Sequence, residues 1–286
     1  MWGINPFRIE TGNWEPATGN RFSFMNLAIF GGTFDPIHRG HLAVARAAVE
    51  RFQLGRIYFV PADIQPLKAK AAVTPYYHRF AMIALALAGE KKFLPSLLEA
   101  PEVIQAEGKL ASYSIDTVRR FKQSLKKSDR LFFLIGIDAF LDIAKWRSPV
   151  ELLHECEFIV ASRPGYSLAD VAKALPESMR PRDEITRVFR STSAHGSMVL
   201  PDTTIHLLED VSEAVSATKI RTAAESGRKL ESMVGDAVAA YIRKEGLYKK
   251  GAETLPDVKQ RKVAKQEREA KKHRAGLQIV GGKRRE

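Results

Sequence analysis

Between Gly31 and His41 the chain reads GGTFDPIHRGH. Adjacent glycines let backbone N–H groups approach a ligand closely, because no Cβ stands in the way. His38 and His41 are three apart, so on a helix they share one face. If that helix begins near His38, its free N–H groups and the positive end of its dipole point where the imidazoles point. This is an anion site. Two imidazoles there suit the oxygens of a polyphosphate and can donate hydrogen bonds to charge that develops in a transition state. The stretch matches neither GxxxxGK[ST] nor GxGxxG, so it is neither a Walker loop nor the dinucleotide fingerprint. HxxH without an intervening Glu or an obvious third ligand is poor zinc spacing. Two histidines with only a structural role are the plain alternative.

Such a turn needs a strand to deliver it. LAIF (27–30) is a short apolar run ending in the glycines, and HLAVARAAVERFQ (41–53) follows with helical spacing until Gly55. The pattern then repeats. RIYFVPA (56–62) predicts a second strand, YYHRFAMIALALAG (76–89) a helix, and SYSIDTVRRFKQSLKK (112–127) another. LFFLIG (131–136) is wholly apolar, as expected of a strand covered on both faces. Residues 138–154 read as a helix broken near Ser148-Pro149, and 157–165 as a strand ending in a turn. After an unclear polar segment, 166–204, read as a helix plus a long loop, IHLLED (205–210) predicts a last strand, and 215–227 and 236–248 predict helices. This alternation predicts an α/β fold, a doubly wound Rossmann-like parallel sheet with helices on both faces. Ligands of such sheets sit outside the carboxyl ends of the strands, where GGTFDP, PADIQP, GID and SRPG all fall.

Composition narrows the class. The 286 residues and 45% apolar content support a real core. The single cysteine, Cys156, rules out an internal disulfide and a cysteine metal cluster. No run approaches a membrane span, and the first residues lack the apolar region of a signal peptide, so a cytoplasmic protein is expected. The net charge of +12 suggests nucleic acid until it is located: residues 249–286 hold 13 Lys and Arg against 5 Asp and Glu, two thirds of the excess. This basic C-terminal extension is expected to be a disordered or helical tail, either simply solvated or a contact for RNA or a protein partner. Residues 1–24 lack periodicity and read as a flexible extension, leaving 25–248 as the globular unit.

GGTFDPIHRGH resembles the T/HxGH signature of the nucleotidyltransferase superfamily of adenylyl- and cytidylyltransferases. Val215-Ser216-Ala217-Thr218-Lys219-Ile220-Arg221 resembles its second signature, ISSTxIR. Ser216 is a natural N-cap with Thr218 in the first turn, and Arg221 one turn on can present its fork of donors to a phosphate. Over about 27–248 the chain is similar to the bacterial nicotinate-nucleotide adenylyltransferases. Tyr77-His78-Arg79 with Met82, Ser112-Tyr113-Ser114-Ile115-Asp116-Thr117, Gly136-Ile137-Asp138, Trp146, Arg163-Pro164-Gly165 and the closing Tyr241-Ile242 and Gly246-Leu247-Tyr248 each resemble an element of that family. Two departures stand out: Ser114 replaces a threonine, and Gln65-Pro66-Leu67-Lys68 replaces a PPHK-like loop.

The resemblance implies a reaction: ATP plus nicotinate mononucleotide gives deamido-NAD and pyrophosphate. The attacking group is already an anionic phosphate, so no general base is required, and catalysis becomes positioning and charge neutralisation. It implies that His38, His41 and Arg221 act on the ATP phosphates, with Gly31, Gly32, Thr33 and Phe34 beside them and Ser216 and Thr218 on the β/γ side. Gly136 and Asp138 fall on the ATP side, Asp138 at the ribose or as a helix N-cap. Lys68, Ser112, Tyr113, Ser114, Trp146 and Arg163 fall to the substrate: Lys68 steadies phosphate, Trp146 stacks on the pyridine ring, and N–H groups near Tyr113 and Ser114 take the carboxylate. Mg²⁺ is expected to arrive on ATP, with no dedicated metal site. The competing readings are a pantetheine-phosphate adenylyltransferase, a cytidylyltransferase, or an RNA-binding factor on a retired scaffold. Oligomeric state is open.

Overall fold

A computed structural model describes residues 8–11, 24–64, 73–163, 165–181, 196–209, 211 and 215–249. Its frame is one eight-stranded sheet. The strands are β1 (Arg8–Thr11), β2 (Asn26–Gly32), β3 (Arg56–Pro61), β4 (Phe93–Pro95), β5 (Arg130–Gly136), β6 (Glu157–Ala161), β7 (Gly196–Leu200) and β8 (Thr203–Leu208). Their spatial order is β1-β7-β8-β6-β5-β2-β3-β4. Six strands, from β4 through β8, run parallel in the order expected of a doubly wound sheet. The other two depart from the all-parallel expectation: β7 pairs antiparallel with β8, and β1 with β7.

The helices are α1 (Arg39–Phe52), α2 (Tyr76–Ala86), α3 (Pro101–Ala106), α4 (Ser114–Lys122), α5 (Ile137–Phe140), α6 (Pro149–Glu155), α7 (Leu168–Ala174), α8 (Ala217–Glu225), α9 (Glu231–Val234) and α10 (Asp236–Lys244). Side chains alternate across a strand, so each central strand feeds two cores. Leu27, Ile29, Leu131, Phe133, Phe158 and Val160 pack on one face with residues of α4, α6 and α7. Ala28, Phe30, Phe132, Leu134 and Ile159 pack on the other with α1, α2, α8 and α10. Apolar side chains at consecutive positions are what burial on both faces requires. Residues 131–135 are all buried, as expected of LFFLIG.

Several elements differ from expectation. The region read as one broken helix over 138–154 is α5, a 3₁₀ turn at Ile143–Lys145, and α6. The unclear segment 166–204 contains α7, then β7, which turns tightly into β8 through Pro201-Asp202. Residues 8–11 are the described part of the N-terminal segment and form an edge strand. No helix among the described residues is long and apolar enough to cross a membrane. The tail beyond Lys249 lies outside the described residues.

Candidate active site

β2 lies between β3 and β5. From here the order runs outward through β3 and β4 on one side and through β5, β6 and β8 on the other, so the carboxyl ends of β2 and β5 flank the switch point where open α/β sheets leave a crevice. Gly31 and Gly32 end β2 at that edge, and Gly136 ends β5. A Cβ on Gly31 would meet Cζ of Phe133 at 3.2 Å, and one on Gly32 would meet the Phe34 ring at 3.1 Å. The absence of Cβ lets the turn lie flat against both rings. Phe34 itself turns the chain with φ 48° and is buried.

The turn leads into α1, whose N-cap is His38. The rings of His38 and His41 stack with centroids 3.8 Å apart and 26° between planes. The backbone N–H of His38 donates to Nδ1 of His41 at 3.2 Å. Nδ1 therefore carries a lone pair, and in the neutral ring the proton sits on Nε2. Burial, then the charge of Arg163, pushes His38 down to about 4. Burial, then His38, holds His41 well below the usual imidazole range. Both rings are neutral at pH 7 and offer N–H donors without a full charge.

A second arm arrives from the far end of the chain. Ser216 caps α8, its Oγ accepting the N–H of Lys219 at 3.3 Å. Arg221, one turn into α8, donates from Nη1 to the carbonyl of Asp35 at 2.8 Å and from Nη2 to Thr218 Oγ1 at 3.3 Å. The structure thus brings Arg221 and Thr218 to the turn that carries His38 and His41, across 186 residues of sequence. Arg163 after β6 pairs with Asp138 at 2.9 Å, and Arg163 is close enough to His38 to depress its protonation. Gly136 occupies the N-cap of α5 and Asp138 lies in its first turn, so the N-cap reading of Asp138 is corrected.

Of the residues expected on the substrate side, Tyr113 and Trp146 pack against the core on the sheet face that carries α4. Tyr113 caps α4 in an extended conformation and Ser114 opens the helix. The N–H of Ser112 donates to the Ile64 carbonyl at 3.2 Å, tying this loop to the end of β3. Trp146 is partly buried, its ring edge-on to Phe133 at 6.4 Å and 79°. Phe133 therefore touches both the Gly31 turn and Trp146. Lys68 lies outside the described residues.

The structure adds residues that the sequence did not single out for a role. Asp35 is a buried hub: its carboxylate accepts the Tyr248 hydroxyl at 2.8 Å and the Thr74 N–H at 3.2 Å, while its carbonyl holds Arg221. Burial and the Asp35 charge push the Tyr248 hydroxyl far up, so it stays a donor. Arg79 is wholly buried and donates to the carbonyls of Thr74 and Thr33 at 2.8 Å each, and to that of Asp63 at 3.5 Å. Buried Glu99 accepts the hydroxyl of Thr117 at 2.7 Å. The same hydroxyl reaches the Tyr113 carbonyl at 3.3 Å, which steadies the start of α4. A signal for Arg79 was its place before the apolar run FAMIALALAG, where a cation must find partners inside. The pairing of residue 35 with residue 248 left none.

A turn of glycines and paired imidazoles at a switch point, faced by a capped helix with an inward arginine, defines a nucleotide-binding α/β transferase. The chain belongs to the cytidylyltransferase-like family, which it matches over residues 29–223, and within it to the nicotinate-nucleotide adenylyltransferases. A relative from Pelobacter propionicus, named a probable nicotinate-nucleotide adenylyltransferase, is 35% identical over 224 residues, 78% of this chain and 98% of the relative. One of the same name from Thermoanaerobacter sp. is 36% identical over 229 residues, covering 80% and 97%. The fold is that of the Plasmodium falciparum nicotinic acid mononucleotide adenylyltransferase solved with APC, with TM-score 0.55 and 18% identity over 78% of this chain and 97% of that one.

Proposed function

We propose that this chain transfers the adenylyl group of ATP to nicotinate mononucleotide, forming deamido-NAD and releasing pyrophosphate. The observation that carries this reading is the Arg221 hydrogen bond to the Asp35 carbonyl. It sets a guanidinium beside the turn that opens onto the two histidines, so donors line a single cleft suited to a triphosphate. A phosphate oxygen of the mononucleotide attacks the α-phosphorus of ATP, and the bond to the bridging oxygen of the β-phosphate breaks. The nucleophile is an anion, so no proton has to be removed. His41 Nε2–H, His38 and the Gly32–Phe34 backbone stabilise charge at the α-phosphate, while Arg221, Thr218 and Ser216 hold the departing pyrophosphate. Lys68 adds phosphate contact in this reading. Asp138 lies with Gly136 on the adenosine side.

No trio of His, Cys, Asp or Glu among the described residues lies close enough to hold a metal ion. The chain's own donors suit phosphate, and Mg²⁺ carried on ATP would supply further neutralisation of the polyphosphate charge. The pyridine ring stacks on Trp146, and the N–H groups that open α4 near Tyr113 and Ser114 take its carboxylate. We assign residues 25–248 to the transferase unit, with 249–286 as an extension and 1–24 as a segment that adds the edge strand β1 to its sheet, and place the enzyme in the cytoplasm, where its substrate ATP is abundant.

Pyrophosphate release from ATP, measured in parallel with nicotinate mononucleotide, nicotinamide mononucleotide and phosphopantetheine, tests the reading. Release is expected with nicotinate mononucleotide above the other two. Preference for phosphopantetheine, or release with none, would overturn it.

A further inference from the structure

The N-terminus of α4 carries a charge arrangement that the family motifs do not describe. Around this helix the cations are paired with carboxylates. Arg119 and Lys122 reach Glu155 at 2.7 Å each, Arg120 pairs with Glu107, and Lys109 meets Asp116 in the first turn of α4 at 2.8 Å. Arg147 is different. Its guanidinium lies over the ring of Tyr113, 4.6 Å from the centroid, and no carboxylate among the described residues pairs with it. Tyr113 is the N-cap of α4, and Arg147 directly follows Trp146. Asp116 in the first turn is paired with Lys109, and the buried Glu99 is tied to the Thr117 hydroxyl, so the exposed positive charge at this end comes from Arg147 and the helix terminus. A guanidinium stacked on an aromatic ring is held in place while its edge donors stay available.

We propose that Arg147 is a specificity-determining residue that selects the carboxylate of the pyridine ring over a carboxamide, an inference that rests on the function proposed above. A ring stacked on Trp146 with its 3-substituent at the opening of α4 presents that substituent to the Arg147 fork. A carboxylate accepts charge-assisted hydrogen bonds from a guanidinium, whereas a neutral amide accepts weaker ones and turns its own NH₂ toward a cation. Arg147 is exposed, so replacing it leaves both cores intact.

The test uses the full chain, as parent, Arg147→Gln and Arg147→Lys, with kcat and KM measured for nicotinate mononucleotide, for nicotinamide mononucleotide and for ATP. In Arg147→Gln, kcat/KM for the acid is expected to fall about tenfold or more through KM, the scale of one charge-assisted contact. The amide substrate and the KM for ATP should stay within about twofold, and Arg147→Lys should recover part of the loss because it restores the charge. An equal fall for acid and amide would mean that Arg147 serves the shared phosphate or the fold, and would overturn the proposal, as would no fall for the acid. A parent that uses nicotinamide mononucleotide as well as the acid overturns the selection while leaving adenylyl transfer standing. A parent that uses neither overturns the proposed function itself.

Discussion

The rings of His38 and His41 are held neutral at pH 7, which suits the donor role proposed for them and has consequences for pH. The folded-state value of His38 lies near 4, depressed by burial and by Arg163, against about 6.5 in an unfolded chain. Between those values the unfolded state binds more protons, so this group's contribution to stability is complete above about 6.5 and is lost as the pH falls toward 4. The expected loss is on the order of 2–3 kcal/mol, and His38→Gln should flatten that part of the urea-unfolding profile. An unchanged slope would contradict the burial of this ring. Triphosphate binding brings negative charge to His38 and raises its value, so ATP binding should take up protons in mildly acid solution. Calorimetry in two buffers of different ionisation enthalpy reads this directly; equal heats at pH 5.5 would contradict it. For His41→Ala we expect turnover to fall about 10²–10³-fold, the scale of one preorganised donor. Turnover within about threefold of the parent would remove His41 from the site.

At the scale of elements, two clamps carry the placement. Arg79 holds three backbone carbonyls from separate segments, near the charges of Asp35 and Asp63. Arg79→Met would remove all three of these hydrogen bonds together with the cation that ties the segments, and should cost about 3–5 kcal/mol in urea unfolding. A loss below about 1 kcal/mol would mean that the clamp is dispensable. Ser216→Ala removes the cap of α8 and should cost about 1 kcal/mol while raising the KM for ATP, because the helix that carries Arg221 begins there. The elements differ in how far the sequence reveals them. β2, β3, β5 and β6 are apolar runs because they are covered on both faces, and such runs are visible in any window. β4 has three residues, too few for a period, and β7 is a polar-flanked strand whose Pro201-Asp202 turn was its only cue. The histidine pair and Arg221 were legible because motif spacing marks them. The Asp35–Tyr248 bond was not, since an ordinary aspartate and an ordinary tyrosine meet only once the sheet is wound.

For the whole molecule, Tyr248 ties the end of the proposed transferase unit back to its first turn. Its hydroxyl reaches Asp35 across 213 residues, in the turn that also receives Arg221. A chain ending after Lys249 should therefore keep adenylyl transfer, and one ending before Gly246 should lose both stability and ATP affinity. Loss of turnover in the longer truncation product would make the basic tail part of the enzyme. If the tail binds RNA, its removal should abolish a steeply salt-dependent affinity and leave turnover alone. The central claim is that two imidazoles and a distant guanidinium hold one triphosphate. A crystal structure of the full chain with a non-hydrolysable ATP analogue tests it most directly. Triphosphate oxygens should lie within about 3 Å of His41 Nε2 and of the Arg221 guanidinium in the same complex. A triphosphate that touches only one of them, or lies away from the turn after β2, would contradict it.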